Sequence, residues 1–202
     1  MKNLNNYVKE SINASPFEAI IKSVLLPNVI KKFEPYKGED DLERFEAQDR
    51  NAQLICSLIN DSQKDIKALT VKEYYMKKTG RNPYLLSKSR WSEFDAQNGD
   101  IIFVDNNGNA LCKIDLKVSN KYLGAVSLGS IINFDKNGLY LCCNLSNGKY
   151  KIVSHYDIEE LAIKGMLAAP DPHKNYKGKS VVFNGQELTD EYFIKGLDIE
   201  KL

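Results

Sequence analysis

The chain has 202 residues, of which 43% are hydrophobic and 27% charged, and a net charge of +1, a balance that suits one globular domain and excludes both a disordered chain and a strongly basic one. No run approaches the roughly 18 apolar residues of a membrane helix. Met1 to Asn6 lacks the apolar stretch of a signal peptide, so a cytoplasmic location without a membrane partner is expected. The four cysteines, Cys56, Cys112, Cys142 and Cys143, show no Cys-x-x-Cys spacing, and the two histidines, His155 and His173, stand apart from other ligand types. Zinc and histidine-based metal chemistry are thereby excluded, and any metal should be held by oxygen.

Ser15-Pro16 reads as an N-cap with proline at the first helical position, opening a helix to about Lys32 with the apolar stripe Phe17, Ile20, Ile21, Val24 and Leu25. Pro27 should bend or split it. A second helix is expected from Glu39 to Ile59, with Leu42, Phe45, Ala52, Ile55, Cys56 and Ile59 at helical spacing. Asp49 falls on that stripe, and a buried carboxylate is costly unless a cation or donor awaits it. Asp49 is therefore a candidate metal ligand, and Glu46, one position off the stripe, is the runner-up. A local ion pair to Arg44 or Arg50 is the plain alternative for either.

Thr70-Val71-Lys72-Glu73 is a capping box that opens a third helix through Lys78, and Gly80 and Pro83 end it. Lysines and arginines crowd the stretch from Lys64 to Arg90, whereas acids crowd the stretch from Glu34 to Asp49. Such a pairing suits a site that holds divalent cations beside a phosphate backbone. Lys77, Lys78, Arg81, Lys88, Arg90 and, further on, Lys121 are the candidate backbone contacts, with Tyr74, Tyr75 and Tyr84 interleaved among them. Leu85, Leu86, Trp91 and Phe94 suggest a first strand or extended segment, with Trp91 in the core. Glu93 and Asp95 lie close enough to the next segment to be ligands but read as surface residues.

The most informative stretch follows. Gly99-Asp100-Ile101-Ile102-Phe103-Val104 and Ala110 to Val118 are two strands joined by a turn containing Asn107-Gly108, a strong hairpin signal. Asp100 opens the first strand. Asp115 and Lys117, two residues apart, project to one side of the second, a face they share with Lys113. Beyond it, Gly124 to Phe134 reads equally as strand or helix, Leu139 to Leu145 pairs with Tyr150 to Ser154 as a hairpin, and Asp157 to Met166 is helical. The tail from Pro170 is loop-rich apart from a strand-like Val181-Val182-Phe183. Asp171-Pro172-His173 reads as a proline turn. The expected fold is α/β (α+β), a central mixed sheet flanked by helices, in a single domain over 1–202: a mainly helical part over 1–80, a sheet core over 84–155 and a C-terminal helix and tail over 156–202.

The residues Gly99-Asp100 and Asp115-Leu116-Lys117, one acid and an acid-x-lysine on neighbouring strands, resemble the PD-(D/E)XK nuclease superfamily, with Gly99 where the family's nominal motif has proline. The resemblance covers residues 39 to 155 and implies a restriction-endonuclease-like core. It implies Asp100, Asp115 and Lys117 as catalytic residues. Mg2+, with Mn2+ as a substitute, would be held by Asp100, Asp115, the Leu116 carbonyl and an acid on the preceding helix, Asp49 or Glu46. A small type II restriction endonuclease, acting as a homodimer on double-stranded DNA, is the expected role. A non-catalytic DNA-binding or protein-interaction domain and a nuclease toxin of the same fold are the alternatives.

Overall fold

Alternating apolar positions build a central sheet with helices against both faces. The structure is a computed structural model that describes residues 16–35, 41–120, 124–163, 167–168, 180–183 and 193–194. Helix α1 covers residues 16–24, and α2, Pro27–Ile30, follows with the proline at its first position. Pro27 thus splits the expected helix into two. Helix α3, Asp41–Ser62, is the long one. Asn60, near its end, clamps strand β1, Lys67–Thr70, by donating to the Ala68 carbonyl at 2.9 Å and accepting from the Ala68 N–H at 2.8 Å.

Thr70 caps α4, Val71–Thr79, with both halves of the capping box formed, and Gly80 ends the helix in the left-handed region. No strand follows. A single 3-10 turn, Pro83–Leu85, leads into α5, Lys88–Asn98. Trp91 and Phe94 are three apart, a helical spacing, and their rings stack at 5.8 Å while Phe45, Tyr75 and Tyr84 meet Trp91 edge-on. Trp91 is buried as expected.

The hairpin is present as β2, Ile101–Val104, and β3, Ala110–Ser119. The ambiguous segment contains both elements, β4, Gly124–Ser127, and α6, Leu128–Asn133. Strands β5, Leu139–Asn144, and β6, Tyr150–Ser154, are joined by a turn at Gly148 and followed by α7, His155–Ile163. Short strands β7, Leu167–Ala168, β8, Ser180–Phe183, and β9, Phe193–Ile194, close the described chain.

The central sheet has the order β1-β2-β3-β5-β6, antiparallel throughout except for the parallel pair β3 and β5, and β4 heads a second sheet in the order β4-β8-β7-β9. The fold is α+β with a mixed sheet flanked by helices. Ile101, Phe103, Cys112, Ile114 and Leu116 pack with α1, α2 and the second half of α3 on one face. Ile102 and Val104 pack with Leu69, Val71, Tyr74 and Trp91 on the other. Because strand side chains alternate, Asp100, Lys113, Asp115 and Lys117 all belong to this second face.

Candidate active site

The register Ile101↔Ile114, continued by one residue, sets Asp100 opposite Asp115 on the adjacent strand. Both are almost fully buried. Lys117 Nζ lies 2.7 Å from Asp115 Oδ1 and also reaches Ser130 Oγ at 3.5 Å, which fixes the ammonium between β3 and α6. Lys113, on the same strand face, pairs instead with Asp135 at 2.9 Å. The chemistry of the face therefore concentrates at Asp115 and Lys117.

Gly99 explains how Asp100 arrives there. Its φ is +68°, and a Cβ at that position would stand 2.6 Å from the Ile114 carbonyl oxygen and 2.8 Å from the Phe134 ring. Proline, locked near φ of about −65°, cannot adopt this conformation. The glycine N–H closes α5 on the Asp95 carbonyl at 2.8 Å, and the Asp100 N–H then starts the β2–β3 ladder on Ile114 O at 2.8 Å. The chain passes from helix to strand within two residues, Gly99 and Asp100, which places the last turn of α5 over the head of β2.

Asp95 lies in that last turn and belongs to the site. It is half-buried, and its carboxyl is pushed up to about 7, first by burial and then by the Asp115 charge, with Lys117 pulling the other way. Asp100 is also raised well above the ordinary carboxylate range, by burial and by the charges of Asp115 and Asp95. Burial works against the Lys117 ammonium, but Asp115 and Asp100 outweigh it and hold its pKa above that of an ordinary lysine.

Helix α3 contributes from above. Gln48 Nε2 donates to Asp100 Oδ1, and the Leu116 amide N–H donates to Asp100 Oδ2. Leu116 thus meets Asp100 through its backbone N–H. Gln48, Asp49, Asp95 and Asp100 line one small cavity of about 10 Å3, room for a single water. Asp49 Oδ2 accepts from Gln53 at 3.0 Å and lies 3.7 Å from Lys72 Nζ, while its buried Oδ1 has no hydrogen-bond partner among the described residues. Glu46 points elsewhere, with its side chain 46% exposed and 3.9 Å from Arg50. Glu93 is exposed.

Of the basic candidates, Lys77, Lys78, Arg81 and Arg90 are exposed on α4, the following turn and α5. The Lys88 side chain, Lys121 and His173 lie outside the described residues. His155 is buried, its Nδ1 3.2 Å from the Tyr140 hydroxyl, and burial lowers its pKa.

The donor set suits a hard cation: carboxylates only, with Asp100 and Asp115 facing across neighbouring strands, and such an ion needs one or two carboxylates and keeps several waters. Among the described residues no group of three or more His, Cys, Asp or Glu side chains is arranged to hold a metal by itself. Two signals in the sequence pointed past these residues. Asp95 precedes the helix-ending Gly99 by one turn, and Gln48 is neutral, so a search for charged clusters passes over it.

Comparisons with protein-family models, with curated proteins and with solved structures found no match for this chain. No described helix is long and apolar enough to cross a membrane.

Proposed function

We propose that this protein is a Mg2+-dependent endonuclease that hydrolyses DNA phosphodiester bonds, of the type II restriction kind and acting as a homodimer. The observation that carries this reading is the juxtaposition of Asp100 and Asp115 on neighbouring strands with Lys117 Nζ 2.7 Å from Asp115. Asp100 and Asp115 would hold Mg2+, or Mn2+ in its place, and the ion would supply Lewis-acid polarisation of the phosphoryl oxygen and a more acidic water. The Lys117 ammonium, kept charged by its acidic neighbours, stabilises negative charge developing on the phosphoryl oxygens and orients the attacking water. Ser130 and Asp115 restrict it to one position, so little reorganisation accompanies the reaction. Gln48 holds Asp100 from the α3 side. Two copies would be needed to cut both strands of a palindromic site.

Incubation of plasmid DNA with the protein and Mg2+ tests the reading. Linear or nicked product is expected from the wild type, with a fall of at least about 100-fold in Asp115→Ala or Lys117→Met. Absence of cleavage on methylated and unmethylated DNA alike, with either Mg2+ or Mn2+, would overturn it. A non-catalytic nucleic-acid-binding domain is the second reading, favoured by the way Gln48 and Lys117 already occupy the two acids. Calorimetry separates the two, because only the first expects Mn2+ binding that disappears in Asp100→Ala.

A further inference from the structure

A second cleft, far larger than the cavity at the acids, lies elsewhere on the described chain. It has a volume of about 550 Å3 and lies at the far end of β2, between α4, the start of β1 and the hairpin turn 105–109, within the size range of small-ligand sites. Three lysines line it: Lys67 at the start of edge strand β1, and Lys77 and Lys78 in the last turn of α4. Among the described residues Lys67 and Lys77 make no ion pair. Lys78 has, among the described residues, the Tyr74 ring, whose centroid is 5.0 Å from Nζ.

The only acid in the lining, Asp105, is already engaged by the turn. Its carboxylate accepts from the N–H groups of Asn107 and Asn109, both at 2.8 Å, and from the Asn109 side chain at 3.0 Å. The lysines face open, polar space, three positive charges against the single carboxylate of Asp105, which makes no ion pair with them among the described residues. The ordinary account of Lys77 and Lys78 is that they complement the α4 C-terminus. It does not explain Lys67, which comes from a different element and converges on the same cleft.

We infer that this cleft is a binding site for consecutive phosphates of a nucleic-acid strand, separate from the acids. The inference rests on the nuclease reading for the identity of the strand and on the cleft itself for the anion. Leu69 and Val104 in its lining belong to the sheet face that carries Asp100 and Asp115, and Tyr74 packs on that face from α4. From Asp100 to Val104 is four residues, about 13 Å along a strand. At about 3.4 Å per nucleotide along B-form DNA, a duplex reacting at the acids would present the phosphates roughly four nucleotides away to this cleft. Lys67, Lys77 and Lys78 thereby set the register of the strand, and the asparagines of the turn offer amide donors to the same oxygens.

The test uses the full chain and a fluorescein-labelled mixed-sequence DNA duplex in EDTA, with affinity measured by anisotropy over a range of salt concentrations. The triple variant K67Q/K77Q/K78Q should reduce the slope of log K against log salt by about 2.7, at about 0.9 per phosphate contact. Lys149→Gln, on the β5–β6 turn, should leave the slope unchanged. Wild-type affinity and slope in the triple variant would overturn the site, and plasmid cleavage persisting in that case would leave the nuclease reading standing. A reduced slope without plasmid cleavage in any metal would support the site and sink the nuclease reading. Binding of ADP or pyrophosphate that depends on the three lysines, with no duplex binding, would overturn the nucleic-acid occupant in favour of a free nucleotide.

Discussion

Replacing Asp95 by asparagine should stabilise the metal-free protein, and only at neutral to high pH. In the folded chain this carboxyl sits at about 7 against an ordinary 3.8, because burial and the Asp115 charge disfavour its ionised form. Between those values the folded state keeps a proton that the unfolded state has released. Wild-type stability from this group is therefore complete below about pH 4, declines as pH rises, and is lost above about pH 7. A difference of about three pH units corresponds to about 4 kcal/mol. Proton sharing with Asp100 and the partial exposure of Asp95 reduce the expectation to about 2 kcal/mol. Asparagine has nearly the same shape and never ionises. Urea unfolding in EDTA should show Asp95→Asn more stable than wild type by about 2 kcal/mol at pH 8 and equal to it at pH 4. No gain at pH 8, or the same gain at both values, would refute the argument that three carboxylates compete around one lysine. Mg2+ bound at the proposed site would offset the same crowding and should narrow the difference at pH 8.

Gly99→Ala should cost about 2 kcal/mol and lower the Tm by roughly 6 °C, because a Cβ at φ +68° meets the Ile114 carbonyl and pushes Asp100 out of register; an unchanged melting curve would show that the helix-to-strand junction is not constrained as described. Tyr140→Phe removes the hydroxyl that donates to the Ser130 carbonyl at 3.3 Å and meets His155 Nδ1 at 3.2 Å. Leaving buried partners unpaired should cost about 1–3 kcal/mol in urea unfolding, and a loss well below 1 kcal/mol would mean that water replaces the hydroxyl.

Local chemistry was legible wherever a residue's role follows from its immediate neighbours. The capping box at Thr70 and Glu73, the split at Pro27, the hairpin at Asn107-Gly108 and the burial of Trp91 all follow from such short-range rules, and each is formed. Elements that depend on distant partners were less so. Strand β1 has only four residues and little apolar pattern; it is a strand because β2 pairs with it and Asn60 clamps it. The segment around Trp91 has aromatic and apolar residues suited to a strand, but the helical spacing of Trp91 and Phe94 let them fill one face against Tyr75 and Tyr84. Lys113 shares its parity with Asp115 and Lys117, and only the position of Asp135 removes it from the group.

The order of residues by itself determined that Asp115 and Lys117 share a face and that Asp100 begins the strand before them, because period-two alternation and a tight turn leave no other arrangement. Tertiary structure decided the rest of the site. It brought Asp95 over the head of β2 through the reversal at Gly99, set Gln48 on Asp100 from a helix 52 residues away, and turned Glu46 out toward Arg50. It also drew Lys67 together with Lys77 and Lys78. Charges on separate elements converge only through the packing of those elements, and that information resides in the core contacts between them.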